Sequence, residues 1–140
     1  MRLFALTTLL LLMVVPARAQ QAPDSADAFA VQGVIAQQLA AFNRDDGNTA
    51  WGFAAANIQA RFQTVETFMA MVRGAYDAVY RSAAAEFGPL TGSGDHLVQE
   101  VVVTGQDGLQ VLARYAMARQ DDGTWKIEGV TIEALPQLNV

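Results

Sequence analysis

The side chains with chemistry to offer are carboxylates, phenols and a few amides. Glu100 precedes the valine run Val101-Val102-Val103. In an apolar pocket such a carboxylate serves as a general base, provided a proton-donating pair faces the developing oxyanion. Whether Glu100 meets a pocket turns on one residue of register. A two-residue turn at Asp107-Gly108 sets it opposite Tyr115 on one face of a β-ribbon, whereas a three-residue turn sets it opposite Arg114 on the other. The reading adopted is the solvated or ion-paired one, because a lone carboxylate buried among apolar groups is costly. Asp77 and Glu66 fall on the polar side of a helix, away from its apolar stripe.

The other reactive types lack companions. His96 is the sole histidine and there is no cysteine, so neither a zinc site nor a disulfide is expected. Ser25, Ser82 and Ser93 show no histidine–aspartate framework. Gly92-x-Gly94 has no P-loop lysine, and Asp121-Asp122-Gly123 lacks the later ligands of a calcium loop. Both read as turns, and no cofactor is expected.

What remains is an aromatic set. A turn that puts Gln120 opposite Thr124 pairs Arg119 with Trp125, Met117 with Ile127 and Tyr115 with Gly129. Tyr115, Met117, Trp125 and Ile127 then share a face, which Trp51, Tyr76 and Tyr80 meet from preceding helices. This is either an ordinary aromatic core or a pocket for a small apolar ligand. In the second case Gln38, Trp51, Tyr76, Tyr80, Tyr115 and Trp125 are its contacts, with Gln38 and the tyrosine hydroxyls as polar partners.

Those residues have to be positioned by helices followed by strands. Asp24-Ser25 caps a helix reaching Phe42, with Val31, Ile35, Leu39 and Phe42 as its stripe and Gln38 beside it. A short helix with Trp51 and Phe53 follows, then a turn from Asn57 to Phe62. Thr64 caps a long helix over Val65–Tyr80 that buries Phe68, Met71, Val72, Ala75, Tyr76 and Val79. Ser82–Phe87 is expected as a first strand stopped by Gly88-Pro89, and Thr91–Asp95 as a loop. His96–Ile132 reads as a three-stranded antiparallel meander with turns at Gly105–Gly108 and Asp121–Gly123. The segregation of helices and strands predicts an α+β fold, with the helices on one face of a curved antiparallel sheet.

The first nineteen residues read as a signal peptide. Arg2 precedes a thirteen-residue apolar run, and Ala17-Arg18-Ala19 is a small-x-small ending, so cleavage is expected between Ala19 and Gln20. Residues 20–23 are a polar spacer and 24–140 one domain. Export to the periplasm or beyond follows, with no membrane attachment after cleavage. The chain carries nine basic and fourteen acidic residues, a net charge of −5; loss of Arg2 and Arg18 takes it to −7. Such a balance offers no footprint for nucleic acid.

Several of these stretches resemble a known family. They are Ile35-x-x-Gln38-Leu39-x-x-Phe42, Asp45-Asp46, Ala54-x-x-Asn57-Ile58-Gln59-x-x-Phe62, Phe68-Met69-x-Met71-Val72-Arg73-x-x-Tyr76-x-x-Val79-Tyr80-Arg81 and Asp122-Gly123-Thr124-Trp125-Lys126-Ile127-x-Gly129. Together they resemble bacterial domain-of-unknown-function family 4864, from about Val31 to Val130. More distantly, the helices followed by a sheet ending in Gly-x-Trp-x-Ile resemble the nuclear transport factor 2-like, or cystatin-like, cone. That likeness implies the fold but no single function, since the scaffold hosts unrelated chemistries.

Two functions follow as expectations. The first is a non-catalytic module that binds a small ligand or a protein. The alternative is a ketosteroid isomerase- or cyclase-like enzyme acting on an apolar substrate in the cone. Strand alternation also places Leu112, Arg114, Ala116, Ala118, Lys126, Glu128, Val130 and Ile132 on the outer face of the sheet. A homodimer through that face is expected, or else cover by the C-terminal tail.

Overall fold

The computed structural model describes residues 22–136; the expected leader and its Ala19–Gln20 cleavage site lie outside them. Five helices precede four strands: α1 (Ser25–Asn43), α2 (Gly47–Gly52), α3 (Ala56–Phe62), α4 (Val65–Ala75), α5 (Asp77–Tyr80), β1 (Ser82–Ser93), β2 (His96–Gly105), β3 (Gln110–Arg119) and β4 (Trp125–Ala134). The strands form one open, curved antiparallel sheet in the order β1-β2-β3-β4, with the helices on its inner face. The fold is α+β, as the segregated elements require.

Capping groups set the helix starts. The Asp24 carboxylate accepts from the Asp27 amide at 2.7 Å, Asp46 from Thr49 at 3.1 Å and the Thr64 hydroxyl from Thr67 at 3.1 Å. The α1 stripe of Val31, Ile35, Leu39 and Phe42 is buried against the inner sheet residues Leu97, Val101, Val103, Ala113, Tyr115, Met117, Trp125 and Ile127. Gly47 lets α2 approach α4, since a Cβ there would lie 2.9 Å from Val65 Cγ1.

The expected long helix is two. Tyr76 leaves the helical region at φ −131°, ψ 50°, which divides α4 from α5. The break allows the Tyr76 hydroxyl to donate to the Val130 carbonyl at 3.3 Å. Ala75, expected inside, is exposed, and Met69 is buried in the α4 face instead. Likewise Gly88-Pro89 does not end β1. The strand continues to Ser93 through a bulge between Phe87, opposite Val101, and Leu90, opposite Gln99. Because β1 is an edge strand, Pro89 removes no ladder bond that the sheet needs. The expected Thr91–Asp95 loop shrinks to Gly94-Asp95, since Ser93 already pairs with His96.

Both remaining turns have three residues. Gly105 N–H donates to Leu109 O at 2.9 Å and Gln120 N–H to Thr124 O at 2.7 Å, with Gly108 at φ 79° and Gly123 at φ 84°. The first turn therefore sets Glu100 opposite Arg114 on the outer face. The second delivers Arg119 opposite Trp125 and Met117 opposite Ile127.

One residue later the expected register fails. Ala116 pairs with Gly129, so Glu128 is an extra residue in β4 and Tyr115 faces Val130 rather than Gly129. This bulge reverses the facing of everything beyond it. Val130 and Ile132, expected on the outer face, point inward and pack against the core. Thr131 and Glu133 take their places outside, opposite Arg114 and Leu112.

Candidate functional site

The bulge also shapes a cleft. β4 is the sheet's other edge, and its outward backbone groups are claimed by the α2–α3 connection and by side chains of the helical half rather than by a fifth strand. Ile127 N–H donates to Phe53 O and the Ala55 amide to Ile127 O, each at 2.8 Å, in a short parallel bridge. The Asn57 amide then donates to Glu128 O at 2.8 Å. Two residues further along, Val130 O accepts from Tyr76. The start of α3 is thus pinned to one side of the bulge and the α4–α5 break to the other.

The gap between them is a cleft of about 340 Å³. Phe42 and Gln38 of α1 lie at its floor, Ile58, Arg61 and Phe62 of α3 form one wall, and Phe68, Met71 and Val72 of α4 form the other. Residues 127–130 close the side along the sheet. Aromatic packing holds the α4 wall, with the Phe68 ring centre 5.3 Å from Trp51, 6.0 Å from Phe42 and 6.1 Å from Phe62. Many residues that carry the family resemblance converge here, among them Gln38, Phe42, Asn57, Phe62, Phe68 and Tyr76.

The six aromatic and amide residues expected around a pocket are divided by the structure. Gln38 and Tyr76 line the cleft, although the Gln38 amide also donates to Ala50 O at 3.1 Å. Trp51 stands behind Phe68. Tyr115 and Trp125 are buried in the core, and Tyr80 belongs to a separate surface cluster. Asn57, Arg61, Phe62 and Met71 were not among the expected contacts. Their segments carried no pocket signal because the cleft arises from how α3 docks onto β4.

Several carboxylates, Glu100 among them, are held in ion pairs. Glu100 lies on the outer face, its Oε1 accepting from Arg114 Nε at 3.3 Å, while Arg114 also donates to Glu133 at 2.9 Å. Those two partners, Glu133 more than Glu100, hold the guanidinium pKa above its ordinary value. His96 is exposed, with Nδ1 3.2 Å from the Glu128 carboxylate. Asp45 accepts from the Tyr80 hydroxyl and, at 2.7 Å, from Arg81, whose other nitrogen donates to Phe42 O. The Tyr80 bond, then the Arg81 bond, keeps the Asp45 carboxyl below the usual range. Among the described residues no group of three His, Asp or Glu side chains is arranged to hold a metal ion.

Inside the sheet's concave face, Gln99 is fully buried and was not anticipated. Its Nε2 donates to Gly88 O at 2.9 Å and to Glu100 O at 2.8 Å, while its Oε1 accepts from Gln32 at 3.3 Å. It secures the β1 bulge.

Comparison with known proteins agrees with this architecture. A family model described as a domain of unknown function (DUF4864) matches residues 24–140. The chain is also similar to a crystal structure from Nostoc punctiforme, a protein of unknown function with a cystatin-like fold. That match has 13% identity and a TM-score of 0.58, and covers 82% of this chain and 96% of the other. At that identity it speaks to the fold alone. No curated protein matches the chain.

Proposed function

The chain belongs to the DUF4864 family, and we propose that it is a non-catalytic binding module that receives a small apolar ligand in the cleft between α3, α4 and β4. The observation that carries this reading is the cleft itself. Its volume of about 340 Å³ lies in the range of ~300–1,000 Å³ typical of ligand sites. It is more than twice the ~150 Å³ apolar cavity that suffices for benzene. Phe42, Phe62, Phe68 and Met71 supply its apolar surface, with Gln38 and Tyr76 as polar contacts. The outward facing of Glu100, paired with Arg114, favours binding over an isomerase-like proton abstraction.

The module is proposed to act in the periplasm or outside the cell, a reading supported by the leader-like sequence of its first nineteen residues. Titration with a neutral naphthylamine dye tests the cleft. Binding to the parent chain is expected, with loss in Ala75→Trp, which plugs the cleft from an exposed lining position, and no change in Glu100→Gln. Absence of binding, or equal binding by Ala75→Trp, would overturn the reading. A selective effect of Glu100→Gln would revive the enzymatic alternative.

Self-association through the outer face is a second reading, with a specific observation behind it. The register sets Val98 opposite Ala116 and Val102 opposite Leu112, two apolar pairs flanking the Glu100–Arg114 pair. A twofold partner would cover the apolar pairs and could exchange the ionic ones between copies.

A further inference from the structure

We infer that the ligand of this cleft carries an anionic head, a carboxylate on an apolar body, and that Arg61 anchors it. This rests on the cleft being a ligand site, as proposed above. Arg61 lines the cleft from α3 and is exposed at its lip. Its guanidinium carbon lies 5.5 Å from the centre of the neighbouring Phe62 ring, which also lines the cleft. Stacking on that ring holds the cation over an apolar surface without consuming its five N–H donors.

The surroundings leave the charge open to a ligand. Arg44, Arg81, Arg114 and Arg119 each pair with an aspartate or glutamate. Among the described residues Arg61 makes no such pair. Glu128, the acidic residue that lines the cleft among the described residues, directs its carboxylate to His96 instead. The other side-chain donors already reach backbone carbonyls, Asn57 that of Glu128, Tyr76 that of Val130 and Gln38 that of Ala50, which leaves their oxygens only to accept from a ligand. A bound molecule would therefore find one uncommitted charged donor set, at the entrance, and an apolar interior behind it. Both features are met by a molecule that inserts its apolar body and leaves a carboxylate at the lip. The planar guanidinium fork grips a carboxylate with two parallel hydrogen bonds, each stronger than a neutral one.

The test is isothermal titration of the mature chain with decanoate and decyltrimethylammonium, each below its micellar concentration, and with decan-1-ol below its solubility limit. Decanoate should bind at least roughly ten-fold more tightly than decanol, and the cation more weakly than either. Arg61→Gln should remove the decanoate advantage and leave decanol unchanged, whereas Arg61→Lys should restore part of it. Equal binding of decanoate and decanol, or an Arg61→Gln chain that keeps the preference, would overturn the anionic head while leaving the apolar cleft intact. Failure of all three probes, or decanoate binding that persists in Ala75→Trp, would overturn the cleft as the site and this inference with it. Because Arg61 is exposed, its replacement leaves the core undisturbed, and unchanged circular dichroism should accompany each loss.

Discussion

Tyr115 is fully buried at the centre of the inner sheet face, and its hydroxyl has no hydrogen-bond partner among the described residues. Burial accordingly pushes the phenol pKa up, since the anion would be stranded. A buried donor without a partner forfeits its hydration, so Tyr115→Phe should keep full stability or gain up to about 1 kcal/mol. A clear loss in urea unfolding would reveal a bridging water on that hydroxyl. Trp125 presents the opposite case. It is 4% exposed, and the Arg119 guanidinium carbon sits 4.6 Å from its ring centre while Arg119 Nη2 donates to the Asp27 carboxylate at 2.9 Å. Trp125→Ala should cost roughly 3–5 kcal/mol. An unchanged melting midpoint would show that the ring contributes no packing.

Elements are joined here by polar clasps as much as by the core. Asp45, in the α1–α2 connection at φ 56°, takes hydrogen bonds from Tyr80 of α5 and from Arg81 just before β1. Arg81 also lies over the Tyr80 ring, 4.1 Å from its centre. The lowered carboxyl pKa makes the sign of the pH effect definite. In the unfolded chain Asp45 protonates near its ordinary value of ~3.9, and in the folded chain only at lower pH. Its contribution is therefore complete above the ordinary value and is lost as pH falls through the depressed one. Asp46, held by Thr49, and Asp122, held by Thr124, act in the same direction. Asp45→Asn should flatten the acid limb of stability as pH falls below the ordinary carboxylate value. An identical acid limb in urea midpoints would show that the clasp is not formed in solution.

At the scale of the whole molecule, the Glu128 bulge trades outer apolar surface for inner. Val130 and Ile132 leave the outer face, and Thr131 and Glu133 replace them. Self-association through the outer face, as proposed, would then rest on β2 and β3, through Val98, Val102 and Leu112. Light scattering at micromolar concentration is expected to give a dimer mass, reduced to the monomer by Leu112→Glu. A monomer mass for the parent refutes the dimer. Export is checked on the same material, whose intact mass should correspond to a chain beginning at Gln20. Recovery of the full-length chain from membranes would refute cleavage.

The sequence by itself determined the features that depend on near neighbours. Caps at Asp24 and Thr64, the stripe from Val31 to Phe42, and the Arg119–Trp125 pairing across one turn all follow from residues a few positions apart. The α+β class followed from their order. Glu100 marks the limit of that reading, since its two facings differed by a single turn residue that local propensity does not decide. Tertiary structure alone decided the break at Tyr76, the bulge at Glu128 and the cleft between them. Each depends on hydrogen bonds to β4's free edge from groups distant in sequence, Asn57 to Glu128 over 71 positions and Tyr76 to Val130 over 54. Once those carbonyls are claimed by helices, β4 accommodates an extra residue, and the space between the two anchors becomes the site.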